Sequence, residues 1–129
     1  MDAVTLPRPD LAAHRRSVQA PLAEIVEELA QILGKKLTAY IGGVKDTRVI
    51  DRWIQGVEPY RDADRRIRLA YQIAKTLSEH DSGRVAQAWF IGLNPELGDR
   101  TPIRLLREAD LEKAGPELLH AMRAFLAGG

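Results

Sequence analysis

The stretch RDADRRIRLAYQIAKTLSEH, Arg61 to His80, sets Ile67, Ala70, Tyr71, Ala74 and Leu77 at spacings of three and four. Only a helix gathers residues so spaced onto one side, and a helix of this length needs neighbours to cover that side. The remainder of the chain supplies them. PLAEIVEELAQILG carries Leu22, Ile25, Val26, Leu29, Ile32 and Leu33 on one stripe and stops at Gly34. Its other face shows Glu24, Glu27 and Glu28, which read as a solvated surface. KKLTAYIGG is a short helix ended by Gly42 and Gly43.

In VKDTRVIDRWIQG, Asp46 is a good N-cap, and Val49, Ile50, Trp53 and Ile54 form one inner stripe with Trp53 as a core residue. Gly56 closes that helix and EPY turns the chain. SGRVAQAWFIGL, TPIRLLREAD and GPELLHAMRAFLAGG extend the helical series. No segment alternates convincingly as a strand, and the one place for a short β pair is near Phe90 to Leu93. The expected class is all-α in three parts: a loosely ordered arm over residues 1–20, a first helical half over 21–81 and a second over 82–129. The arm contains Pro7, Pro9 and the pair Arg15-Arg16.

Composition narrows the function. With 45% hydrophobic and 29% charged residues in 129, the chain can build a core of its own. A net charge of +1 means that any surface for nucleic acid must be local. The absence of cysteine removes disulfides, thiolate metal sites and thiol nucleophiles. No run approaches the roughly 18 apolar residues of a membrane span, and the first residues lack a signal-peptide core. A soluble, cytoplasmic protein is expected. His14, His80 and His120 lie far apart, no serine sits in an elbow motif, and Asp62 with Asp64 reads as surface charge. No catalytic residue, metal or cofactor is therefore expected.

The first half follows helix-turn-helix order, in which the second helix enters the major groove of DNA. Lys45, Thr47, Arg48, Arg52 and Gln55 are the candidate DNA contacts, because Arg and Gln can grip purine edges while Lys and Thr hold phosphates. Arg61, Arg65, Arg66 and Arg68 add a local cationic set. Asp46 and Asp51 oppose it, and Arg65 and Arg68 have Asp62 and Asp64 as possible partners on their own helix.

The second half contains an elaborate joint, AWFIGLNPELGDRTPIRLL. Trp89, Phe90 and Ile91 end one helix, Pro95 stops it, Gly98 permits a bend, and Thr101 caps a new helix with Pro102 at its first position. This order, an aromatic helix end, NPELGDRTPIRLL and a closing amphipathic helix, resembles the toxin-binding region of the Xre/MbcA/ParS family of antitoxins. AYIGGVKDTRVIDRWIQGVEP and RRIRLAYQIAKTL resemble the helix-turn-helix half of the same family. The likeness covers roughly residues 22–127, and Asp99 departs from it where many members carry a second glycine.

The resemblance implies an antitoxin that covers the active-site entrance of a NAD-consuming RES-domain toxin. Many members also bind their own promoter, and paired half-sites imply a homo-oligomer. On that basis the candidate toxin contacts are Asn94, Glu96, Asp99, Arg100, Arg104, Arg107, His120, Arg123, Gly128 and Gly129. Leu118, Leu119, Met122, Phe125 and Leu126 divide between core and partner surface. A stand-alone transcription regulator, with the second half serving dimerisation, is the alternative reading.

Overall fold

The computed structural model describes residues 9–128. Among them are eight α-helices and one short 3-10 turn. They are α1 (Pro9–Gln19), α2 (Leu22–Leu33), α3 (Lys35–Gly42), α4 (Thr47–Ile54), α5 (Arg61–His80), α6 (Gly83–Ile91), the 3-10 turn Pro95–Leu97, α7 (Pro102–Glu108) and α8 (Leu111–Gly128). The only extended pairing among the described residues is an isolated antiparallel bridge between Asn94 and Arg100. No helix among them is long and apolar enough to cross a membrane.

Helix α5 is the axis of the packing. The stripe expected to face inward, Ile67, Ala70, Tyr71, Ala74 and Leu77, is fully buried. Helices α1, α2, α3, α6 and α8 all pack against it. The core is continuous from Ile25 and Leu29 on α2 through Ile67 and Leu77 to Phe90, Leu106, Leu118 and Met122. The two expected halves therefore share one hydrophobic interior.

The segment expected as a loose arm is helical from Pro9, and α1 lies along α5. Its buried residues are Ala13 and Ser17, while Leu11 and Val18 point outward, so no apolar stripe announces it. Polar contacts fix it instead. Arg68 Nη1 donates to the carbonyl oxygens of Ser17 and Ala20, each at 2.8 Å, satisfying acceptors that the end of α1 leaves open. Arg16 forms an ion pair with Glu28 of α2. The same carboxylate accepts a 2.8 Å hydrogen bond from the Tyr71 hydroxyl. Glu28 is thus half-buried and engaged, not part of a solvated acidic face. The Arg16 guanidinium holds its carboxyl below the usual range. Burial, followed by the Glu28 bond, pushes the Tyr71 phenol up to about 12. Residues 1–8 of the expected arm, Pro7 included, lie outside the described residues.

Helices α3 and α4 meet around a glycine. Gly43 has φ +80° and ends α3 in the left-handed conformation. A Cβ on Gly42 would stand 2.7 Å from Cζ3 and 2.8 Å from Cη2 of Trp53. Trp53 is buried, as expected, and its ring occupies the space that the missing side chain leaves. Helix α8 begins earlier than its glycine-proline pair suggests. Asp110 accepts from the Glu112 backbone N–H at 3.1 Å, and Ala114 and Gly115 are buried before Pro116 is reached.

Two substitutions test the α3–α4 contact. Trp53→Ala should cost roughly 3–5 kcal/mol in a denaturant titration. Gly42→Ala should cost about 1–3 kcal/mol by forcing the indole to shift. Wild-type midpoints in both variants would mean that the ring does not sit against Gly42.

Candidate functional site

Two exposed surfaces collect the candidate residues. The first is the outer side of α4 and the turn before it. Asp46 caps α4, accepting from the Arg48 backbone N–H at 2.9 Å. Arg48 also folds its side chain back onto this carboxylate, with Nη2 at 2.6 Å. The Arg48 guanidinium draws the Asp46 carboxyl down to about 2. Lys35 pairs with Asp51 at 2.6 Å. The two acidic residues that oppose a polyanion are therefore each matched by a cation. Lys45, Arg48, Arg52 and Gln55 are exposed and Thr47 is half-buried. Gln55 caps the far end of the eight-residue helix, about 12 Å along its axis, so it does not join Thr47 and Arg48 at the N-terminal end.

The expected arginine cluster on α5 separates. Arg66 turns inward, with Nε donating to the Ile41 carbonyl at 2.9 Å and Nη2 to that of Gly42 at 3.1 Å. Arg68 pairs with Asp64 at 2.7 Å and binds the end of α1. Arg65 reaches Glu112 of α8 at 2.8 Å, not Asp62. These arginines join helices; of the partners expected on their own helix, Arg68 takes Asp64 and Arg65 does not take Asp62.

The second surface is built by the joint between α6 and α7. Trp89 and Phe90 are buried edge to face, with ring centroids 5.3 Å apart. Asn94 then caps the 3-10 turn, accepting from Glu96 N–H at 2.9 Å, and Leu97 is driven into the core. Gly98 and Asp99 follow with φ of +65° and +61°. The chain thus doubles back, so that the Asn94 backbone N–H reaches the Arg100 carbonyl at 3.1 Å. Thr101 caps α7 and Pro102 occupies its first turn.

The reversal leaves apolar residues outside. Leu93 is 74% exposed, Ile91 56% and Phe125 37%, which is unusual for side chains so close to a core. On one side of Leu93 a hollow of about 490 Å³ runs between α6, the 3-10 turn and α8, lined by Val85, Trp89, Pro95 and Phe125. On its other side a hollow of about 500 Å³ is lined by Asp99, Arg100, Arg104 and Leu105. The Trp89 indole N–H is buried and has no acceptor among the described residues.

The expected partner contacts divide accordingly. Asp99, Arg100 and Arg104 border the second hollow and Asn94 and Glu96 the first. Glu96 lies 3.3 Å from His120 Nε2, and Arg100 is 3.3 Å from Glu117, so both tie the joint to α8. Arg123 and Gly128 are exposed on α8. Arg107 belongs elsewhere: its guanidinium lies 4.5 Å above the Tyr40 ring, and Nη1 donates to the Tyr40 carbonyl at 2.9 Å. It fastens α7 to α3 and faces the α4 side of the molecule. Gly129 lies outside the described residues. No local signal in the sequence marks Leu93 as exposed, because its place beside the reversal at Gly98 and Asp99 is set by the fold.

The left-handed Asp99 gives a direct test of the joint. An L-residue pays about 1–2 kcal/mol in this region, less for Asp than for most. Asp99→Gly should preserve the fold and raise the melting temperature, whereas Asp99→Val should lower stability by about 1–2 kcal/mol. Equal stability of the two variants would contradict the positive φ at this residue. The chain matches no known family model, no curated protein and no solved structure.

Proposed function

We propose that this protein is an antitoxin whose second half binds a NAD-consuming RES-type toxin and occludes its active site. It acts by covering, with no chemistry of its own. The observation that carries the reading is the exposed Leu93, which borders both hollows, with exposed Phe125 lining the first and charged Glu96, Asp99, Arg100 and Arg104 around them. An exposed apolar patch with a polar rim is the ordinary form of a protein-binding surface. The joint motif NPELGDRTPIRLL, which resembles that of the antitoxin family, makes the chain reversal beside Leu93. The described residues contain no group of three or more His, Asp or Glu that could hold a metal.

In the same reading α3, the Gly43 turn and α4 act as a helix-turn-helix unit on operator DNA. The neutralised Asp46 and Asp51 support it, since neither then presents an unmatched negative charge to phosphates. Pairing of two copies on a two-fold operator would follow from the symmetry of such sites.

The decisive experiment is co-expression with the product of the adjacent gene, following growth, cellular NAD and co-purification. Restored growth and NAD with a stable complex is the expected result. Leu93→Asp should weaken the complex at least about tenfold, roughly 1.4 kcal/mol, with unchanged melting. A harmless neighbour that does not bind would leave a stand-alone regulator as the better reading. Full inhibition by Leu93→Asp would place the contact on another face.

A further inference from the structure

Beside α4 lies a broad concave face of about 860 Å³ between α3, the turn before α4, and α7. Lys36, Lys45, Arg48 and Arg107 line it, with Asp46 and Glu108 as its carboxylates. Asp46 is matched by Arg48 at 2.6 Å, and Glu108 is drawn by Arg104 at 3.2 Å on the far side of α7. Lys36 and Lys45 are exposed and no salt bridge engages either among the described residues. Arg107 is held in place by the Tyr40 ring and carbonyl, and so presents its charge from a fixed position. The face is cationic although the whole chain is close to neutral.

We propose that this face seats the sugar-phosphate backbone of duplex DNA, so that the DNA surface extends from α3 and α4 onto α7. The inference rests on the reading of α4 as a groove-entering helix. A helix in the major groove is flanked by phosphate strands, and contacts to those strands position it without reading sequence. The face adjoins Thr47 and Arg48, at the end of α4 that would enter the groove. Its cations come from four places: Lys36 on α3, Lys45 in the turn, Arg48 on α4 and Arg107 on α7. A guanidinium stacked on a tyrosine is also well suited to phosphate, because its planar donors are already oriented.

The test uses the full chain and a fluorescein-labelled duplex of arbitrary sequence, with anisotropy followed from about 50 to about 200 mM salt. Each phosphate contact contributes about 0.9 to the slope of log affinity against log salt. Lys36→Gln and Lys45→Gln should each lower that slope by about 1 and weaken binding several-fold, with unchanged melting curves. Lys113→Gln, an exposed lysine on α8, should leave the slope as it is. Salt-dependent binding by the wild type with the same slope in Lys36→Gln and Lys45→Gln would overturn the seat and leave α4 as a DNA reader. No binding by the wild type would remove both. Competition by poly-glutamate as effective as by duplex would overturn the assignment to DNA in favour of an acidic protein partner.

Discussion

Burial of α5 is the constraint on which the other helices depend. Its 20 residues span about 30 Å, long enough to touch both ends of the molecule. Ala63, Ala70 and Ala74 let neighbours approach closely, while Ile67, Tyr71, Ile73 and Leu77 supply the bulk. Even the polar residues on it that are buried find partners: Thr76 donates to the Gln72 carbonyl at 2.7 Å, and Gln72 meets His14 of α1 at 3.2 Å. A helix covered on so many sides has little outer face left. Arg66 and Arg68 consequently reach across to cap α3 and α1, where terminal carbonyls would otherwise be unsatisfied.

What could be read in advance follows from this division between local and distant causes. The α5 stripe, the Asp46 and Thr101 caps, the stop at Gly43 and the buried Trp53 all have local signatures, because periodicity and capping act within one turn. Helix α1 has none. Its hold on the core comes from Ala13, Ser17 and carbonyls that an arginine some fifty residues later must find. The start of α8 was hidden for a different reason: Pro116 looks like a first-turn residue, yet Asp110 caps the helix six residues earlier. Arginines were the least legible of all. The sequence showed a cationic set, and only the fold assigns Arg65 to α8, Arg66 to α3 and Arg68 to α1.

The candidate partner surface was legible as a joint but not as a surface. Pro95, Gly98, Thr101 and Pro102 announce a break, a bend and a restart. Which side chains the bend leaves outside depends on two successive left-handed residues, and Asp99 does not advertise that conformation as a glycine would. Once both are placed, Leu97 goes inward and Leu93 outward, bordering both hollows. Stability and exposure are thus set by the same few residues.

Helix α7 connects the two surfaces. At seven residues it is far below the roughly 12–15 that an isolated helix needs, so its orientation belongs to its anchors: the Thr101 cap, buried Ile103, Leu105 and Leu106, and Arg107 on Tyr40. It offers Arg104 to the hollow beside Leu93 and Arg107 to the cationic face beside α4. A partner that turned α7 to improve its grip on Arg104 would also move Arg107 off the Tyr40 ring. Under the proposed roles, such a rotation changes the affinity for DNA. Linkage then demands the reverse effect at the same strength, so DNA would alter the affinity for the partner by an equal factor. A rigidly shared α7 would instead let the two partners bind independently.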